Sequence, residues 1–214
     1  MGRHREIEVK LKIDDVAKLV RALKALPAKQ SARVHEQDML FDTDDGFFRK
    51  REAILRLRTL MRANAGSGMA RNRDVRKARE GILTFKGRVE GANLTGRRYK
   101  EREEIEFQIR NVGRFAGLLR RLGMRPWFRY EKYRTTYTSG RYPGLKLELD
   151  ETPIGFFLEL EGPKRQICRA AEALGYSSAD FVTASYLELY AAERPRSRPN
   201  SRSMLFHKKK IAKL

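Results

Sequence analysis

Pairs of glutamates two residues apart occur three times in the chain, each time alternating with apolar residues. The pairs are Glu6 with Glu8, Glu104 with Glu106, and Glu159 with Glu161. Because successive side chains of a β-strand point to opposite faces, each pair puts two carboxylates on one face and apolar groups on the other. Carboxylate oxygens are the ligands that hard cations such as Mg²⁺ and Mn²⁺ prefer. The pairs therefore predict strands with acidic faces that are suited to metal ions.

Basic residues recur at the same spacing in other alternating segments. Arg56 shares a strand face with Arg58, and Lys132 shares one with Arg134. Like charges at such positions repel, so solvent, a counter-charge or a ligand must offset them. A sheet facing water would tolerate the pattern. A barrel with a polar interior would explain it, with the acids holding metal ions and the bases holding the anion that those ions bind.

Amphipathic segments that predict helices follow each of the acidic pairs. Asp14 or Asp15 can cap the first helix and Asn111 the second, while the third begins near Pro163. A last helix is predicted at 180–192. Besides the opening strand, the predicted strands are 32–43, 52–60, 82–87, 99–110, 128–138, 144–150 and 156–162. The interpretation is an α+β domain over residues 1–193.

The 214-residue chain has 47 Lys and Arg against 27 Asp and Glu, a formal net charge of +20. This excess favours anionic partners. Residues 61–81 are predicted to form a flexible basic loop. Residues 194–214 contain eight bases and no acids and are predicted to be a disordered tail. Loop and tail together could give non-specific contacts with polyanions.

Cys168 is the only cysteine, so no internal disulfide can form and a cytoplasmic setting is expected. No segment is apolar over the length needed to cross a membrane, so no membrane partner is expected. An oligomer is compatible with the sequence.

Taken together, these segments resemble the CYTH superfamily, named for class IV adenylyl cyclases and thiamine triphosphatases. The first strand matches its Glu-x-Glu-x-Lys signature, and eight more elements follow in order. They are Phe41-Asp42-Thr43, Arg56-x-Arg58, Thr84-x-Lys86, Arg102-x-Glu104-x-Glu106, Lys132-x-Arg134, Leu149-Asp150-Glu151, Gly155-x-x-x-Glu159-x-Glu161 and Ser185-Tyr186. The resemblance implies a closed antiparallel β-barrel, the triphosphate tunnel, with a charged interior and helices packed outside.

The resemblance also implies roles for the charged residues. Mg²⁺ or Mn²⁺ is expected on Glu6, Glu8, Glu159 and Glu161, with Asp150, Glu104 and Glu106 as nearby candidates. The triphosphate oxygens are expected on Lys10, Arg56, Arg58, Lys86, Arg102, Lys132 and Arg134. Lys86 is also a candidate catalytic residue, because a crowded cationic site can depress a lysine pKa and let the amine activate a nucleophile.

The implied activity is that of the class IV adenylyl cyclase branch, which converts ATP to cyclic AMP and pyrophosphate. An inorganic triphosphatase or a thiamine triphosphatase would use the same tunnel, because all three substrates present the same anion. Two non-enzymatic alternatives are a binder of polyphosphate or nucleotide without turnover and a nucleic-acid binder. Paired carboxylates argue against nucleic acid as the main partner, because they would repel a phosphate backbone unless metal ions intervene.

Overall fold

The computed structural model of the chain describes residues 4–62, 81–88, 99–193 and 202–206. These ranges contain ten strands and four α-helices. The strands are β1 (His4–Ile13), β2 (Ala28–Gln30), β3 (Val34–Thr43), β4 (Ile54–Arg62), β5 (Gly81–Arg88), β6 (Lys100–Ile109), β7 (Met124–Ser139), β8 (Lys146–Thr152), β9 (Gly155–Glu161) and β10 (Ser203–Met204). The helices are α1 (Val16–Ala25), α2 (Val112–Arg121), α3 (Lys164–Ala173) and α4 (Tyr186–Glu193).

Eight of the strands close into an antiparallel barrel in the order β7-β3-β4-β5-β6-β1-β9-β8, with β8 returning to β7. β1 lies between β6 and β9, so its residues face partners on both sides. The long β7 makes the closure, because its first part pairs with β3 and its last part with β8. The closed antiparallel barrel predicted from the resemblance is thereby confirmed.

The largest apolar core lies outside the barrel, between its wall and the helices. Val9 and Leu11 of β1 are fully buried there, in one cluster with Leu23 of α1 and Ile167 of α3. α2 covers a second cluster around Leu57 of β4. Because the apolar faces of the strands point outward beneath helices, their charged faces point into the barrel. The charged interior follows from this arrangement.

Two local features differ from the sequence-based prediction. β2 was not predicted, because a three-residue strand after Pro27 is too short to show periodicity. The segment predicted as one helix at 180–192 instead begins with an extended stretch, in which Val182 pairs with Lys10 of β1. Only α4, from Tyr186 onward, is helical there apart from a short 3₁₀ turn at Ser178–Asp180.

The basic loop and most of the predicted tail lie outside the described residues. In the tail, predicted to be disordered, residues 202–206 are described, and two of them form β10 against β7. Met204 of β10 is 1% exposed. This short segment is therefore packed on the barrel. No helix in the described part of the chain is long and apolar enough to cross a membrane.

We expect Gly162→Ala to lower the free energy of unfolding by about 1–3 kcal/mol. Gly162 follows β9 with φ of +150°, and a Cβ there would lie 2.5 Å from the carbonyl oxygen of Gly144. Urea unfolding followed by circular dichroism measures the change. The control is Gly117→Ala in α2, where a Cβ meets nothing within 4 Å. Because alanine has the higher helix propensity, this substitution should raise the free energy of unfolding by about 0.5–1 kcal/mol. Equal effects of the two substitutions would contradict the close approach at Gly162.

Candidate active site

The barrel encloses a cavity of about 350 Å³ whose wall contains eight glutamates and eight basic residues among the described residues. The glutamates are Glu6, Glu8, Glu36, Glu104, Glu106, Glu148, Glu159 and Glu161. The bases are Lys10, Arg56, Arg58, Lys86, Lys100, Lys132, Arg134 and Lys146. With every group ionised these charges cancel. A polyanion in the cavity would therefore need added cations or protons to balance its charge.

One pair of carboxylates faces across the β1–β9 boundary. Glu8 and Glu161 are direct partners in the strand register, and each is neutralised by a different base. Glu8 contacts Lys100 at 2.8 Å and Lys10 at 3.1 Å, whereas Glu161 contacts Lys146 at 2.8 Å. Like charges directly opposite on adjacent strands are destabilising unless a cation lies nearby. This boundary is therefore a part of the wall where an additional cation would be stabilised.

A second pair of carboxylates, Glu148 and Glu159, faces across the β8–β9 boundary. The Arg134 guanidinium contacts both of them, and Lys10 lies 3.3 Å from Glu159. This pair is already neutralised by a side chain that cannot lose its proton. Glu159 is thus a weaker candidate for a metal ion than its neighbour Glu161.

No group of three or more His, Cys, Asp or Glu side chains in the described ranges is arranged to hold a metal ion. The carboxylates bind ammonium groups instead. Their chemistry still fits Mg²⁺ or Mn²⁺, because Glu6, Glu8 and Glu161 supply only hard oxygen ligands to one cavity. We expect a cation to bind there once the ammonium groups turn to a bound anion.

The opposite wall is built on β3 and β4 around a buried carboxylate. Asp38 accepts two hydrogen bonds from Arg58, at 2.8 and 3.0 Å, and the third nitrogen of that guanidinium lies 2.8 Å from Glu36. Arg58 therefore has its nitrogens occupied by protein. Arg56 donates to Thr84 at 3.1 Å, but its buried Nε has no hydrogen-bond partner. Of the two arginines, Arg56 has more capacity left for a phosphate.

Asp150 lies behind the wall, not on it. It is 0% exposed and accepts hydrogen bonds from Lys132 at 2.6 Å and from Arg134 at 2.6 and 2.7 Å. The Tyr186 hydroxyl donates to the same carboxylate at 2.7 Å. Protein groups donate four hydrogen bonds to this carboxylate. Asp150 thus lies where it orients two bases, and the nearby metal-ligand role stays a prediction.

Lys86, the predicted catalytic residue, is held by two carboxylates of the wall. Its ammonium contacts Glu6 at 2.6 Å and Glu104 at 3.1 Å. Burial and the Arg56 guanidinium oppose the protonated form, but Glu6, Glu8 and Glu104 outweigh them and raise the pKa of Lys86. The raised pKa favours the protonated form of Lys86, which is suited to binding phosphate, and its catalytic role stays a prediction.

Arg102 differs from its prediction. It donates to the backbone oxygen of Glu52 at 2.7 Å and is absent from the residues that line the cavity in the described structure. Among the predicted residues, Glu6, Glu8, Lys10, Arg56, Arg58, Lys86, Glu104, Glu106, Lys132, Arg134, Glu159 and Glu161 do line it. Arg102 therefore lies outside the set that the barrel brings together.

Sequence reasoning missed several residues of the wall. Glu36 and Lys100 line the cavity, and Asp38 supports Arg58 from behind it. The signal was present, because Glu36 and Asp38 alternate along β3 at the same two-residue spacing as the acidic pairs. Lys100 shares a face with Glu104 on β6 in the same way.

Two of the glutamates have raised pKa values. Burial raises the pKa of Glu104 to about 7, against the opposing effect of Lys86 and with a further increase from Glu6. Burial likewise raises the pKa of Glu148 to about 7, although Arg134 opposes it. Both carboxyls therefore accept a proton more readily than an exposed glutamate, which lessens their repulsion of an anionic ligand.

Comparison with known proteins gives a consistent assignment. The family profile described as "CYTH domain" matches residues 4–186. A putative adenylate cyclase of Methanocaldococcus jannaschii is 26% identical over 196 residues, covering 86% of this chain and 97% of that protein. The family match confirms the resemblance found in the sequence.

Solved structures show the same fold. A putative adenylate cyclase from Vibrio parahaemolyticus superposes with a TM-score of 0.68 at 16% identity, covering 88% of this chain and 98% of that one. The PH1819 protein of Pyrococcus horikoshii gives 0.64 at 25% identity, with 88% and 99% covered. A putative adenylyl cyclase from Hippeastrum, described as having a dominant triphosphatase activity, gives 0.56 at 20% identity, with 87% and 95% covered.

We expect Asp150→Asn to lower the free energy of unfolding by about 3–5 kcal/mol, because it removes the buried carboxylate that Lys132 and Arg134 share. Added tripolyphosphate should restore part of this loss by supplying negative charge. Urea titrations with and without the anion measure both effects. The control is Asp45→Asn, whose side chain is 70% exposed and should change little. A loss at Asp150 no larger than that at Asp45 would contradict its role as the shared counter-charge.

Proposed function

Because the chain belongs to the CYTH domain family of triphosphate-processing enzymes, we propose that its barrel cavity binds a triphosphate with divalent cations and cleaves one of its phosphoanhydride bonds. The observation that carries this proposal is the convergence of eight carboxylates and eight bases on one cavity. Phosphoryl transfer depends mainly on positioning and on neutralising the charge of the phosphates. A wall of this composition is suited to both tasks.

The bases would hold the phosphate oxygens. Arg56 has a buried nitrogen without a partner, and Lys86 is protonated. Lys132 and Arg134 are aimed by Asp150, so they need little rearrangement to meet an anion. A guanidinium can bind two phosphate oxygens at once, which fixes the orientation of the chain of phosphates.

The acids would hold the cations. Glu6, Glu8 and Glu161 are the residues that fit Mg²⁺ or Mn²⁺ best, since the Glu148–Glu159 pair is already bridged by Arg134. A divalent cation bound there would polarise a phosphoryl oxygen and add the positive charge that the balanced wall lacks. The ammonium groups released from these carboxylates would remain in the cavity and contact the phosphates.

ATP is the substrate that we favour. Val34, Leu60 and Ile82 occupy neighbouring inward positions on β3, β4 and β5 and give one part of the cavity an apolar surface. An inorganic triphosphate has no apolar part to use this surface, whereas a nucleoside triphosphate has one. Attack of the ribose 3′-hydroxyl on the α-phosphorus would yield cyclic AMP and pyrophosphate, as the name of the Methanocaldococcus relative suggests for that protein.

Triphosphate hydrolysis is the second candidate. Lys86 contacts Glu6 and Glu104 and its pKa is raised, which disfavours the neutral amine that would activate a ribose hydroxyl. Water as the nucleophile would need no such group if it were activated by a bound cation. The substrate would then be inorganic triphosphate or thiamine triphosphate.

A product assay tests the proposal and separates its two candidates. ATP, inorganic triphosphate and thiamine triphosphate are offered separately with Mg²⁺ or Mn²⁺. We expect cyclic AMP and pyrophosphate from ATP, whereas orthophosphate from any of the three would establish the hydrolase. Glu161→Gln should reduce turnover by about two orders of magnitude or more, and the exposed Glu172→Gln should not. Absence of turnover with all three substrates would overturn the enzymatic proposal.

A further inference from the structure

The segment 202–206 is attached to the barrel at a point that neither β3 nor β8 covers. β3 occupies one edge of β7, and β8 pairs with the other edge only from Tyr133 onward. Ser203 and Met204 pair with Arg129 and Tyr130, which precede Tyr133 in β7. The Arg129 amide donates to the Arg202 backbone oxygen at 3.0 Å. β10 thus fills the edge of β7 that β8 leaves open. It lies beyond residues 4–186, which match the family profile.

The attachment continues past β10. The Phe206 amide donates to the Glu131 carboxylate at 2.7 Å, and its ring lies 5.4 Å from that of Tyr133. Burial of Glu131 opposes ionisation, but the hydrogen bonds from His35 and from Phe206 outweigh it and lower the pKa of Glu131. The segment is therefore held by backbone pairing, by a charged hydrogen bond and by ring contact.

Met204 extends from this strand into the barrel. It is the register partner of Tyr130, which lines the cavity, and register partners point to the same face of a sheet. Met204 is 1% exposed and packs in one cluster with Phe128, Phe157 and Tyr186. It therefore closes one end of the barrel with apolar atoms.

Tyr186 connects this apolar end with the charged wall. Its ring packs against Phe157 at 5.4 Å, and its hydroxyl donates to Asp150 at 2.7 Å. Asp150 in turn binds Lys132 and Arg134. A displaced Tyr186 ring would remove one of the groups that fix the Asp150 carboxylate.

We propose that residues 202–206 are a positioning element of the active site, in which Met204 holds Tyr186 so that Asp150 keeps Lys132 and Arg134 aimed at the phosphates. The inference rests on the proposed triphosphate-binding function and adds to it a contribution from the C-terminal segment. It assigns no chemical step to Met204, which acts through Tyr186. It also makes the affinity for the anion depend on whether this segment is docked.

Met204→Asp tests the proposal, because a buried carboxylate would expel the segment from the apolar end. In the full-length chain we expect the dissociation constant for tripolyphosphate to rise by about tenfold. Met204→Leu should keep the wild-type affinity for tripolyphosphate, since it retains an apolar side chain of similar size. The matched control is Leu205→Asp, on the next residue, which is 44% exposed and should leave affinity unchanged.

A double-mutant cycle separates positioning from a general loss of structure. If Met204 acts through the Tyr186 hydroxyl, Met204→Asp should weaken binding far less in a Tyr186→Phe background than in the wild type. Fully additive effects would overturn the proposed route. Equal affinities of Met204→Asp and Leu205→Asp would overturn the proposal as a whole.

A measurement without any ligand keeps the two proposals distinguishable. Hydrogen exchange of the Arg134 Nε–H group, which donates a hydrogen bond to Asp150, reports the orientation of that guanidinium by NMR. We expect exchange to be faster in Met204→Asp and unchanged in Leu205→Asp. Unchanged exchange in both variants would overturn the positioning role. Failure of the wild-type protein to bind tripolyphosphate would overturn the proposed function alone.

Discussion

Sixteen charged side chains share the wall of one cavity, and each must find its counter-charge inside the barrel. Their arrangement meets this need through shared partners: Asp150 serves Lys132 and Arg134, and Arg134 in turn bridges two glutamates. The strands can turn their charged faces inward only because their apolar faces are covered outside by α1, α2 and α3. Burial of the apolar faces thus places the charges inside the barrel, and the shared ion pairs offset the cost of removing them from bulk water.

Balance among the charges explains how the site could respond to a ligand. The wall is close to neutral, its bases are engaged with its acids, and the pKa values of Glu104 and Glu148 are raised. If an anion and a cation bind together, the anion can pair with the bases and the cation with the carboxylates that those bases leave. No buried charge then remains uncompensated. An anion alone would have to compete with the carboxylates for the bases. Joint binding of triphosphate and metal ion is the behaviour that this arrangement favours.

The sequence predicted the parts of the site that depend on alternation along a strand. Glu6, Glu8 and Arg56 were found because a period of two residues identifies one face, and this face is the cavity wall. The sequence did not predict which inward residues line the cavity and which, like Asp150, are buried behind the lining residues. That difference depends on contacts across strands. Nor did the sequence predict the raised pKa of Lys86, which reflects carboxylates from β1 and β6. β10 could not be predicted, since two residues in a basic tail show no periodicity.

Calorimetric titration of tripolyphosphate into the wild-type protein, with Mg²⁺ and then with a chelator, is the most direct test of the central claim. The account predicts that Mg²⁺ strengthens binding by at least about tenfold, because the cation releases bases from the carboxylates and adds positive charge to a balanced wall. Equal affinity in the presence and absence of the divalent cation would contradict the account. Binding of the anion would then depend on the bases alone, and the carboxylates would serve only to hold them.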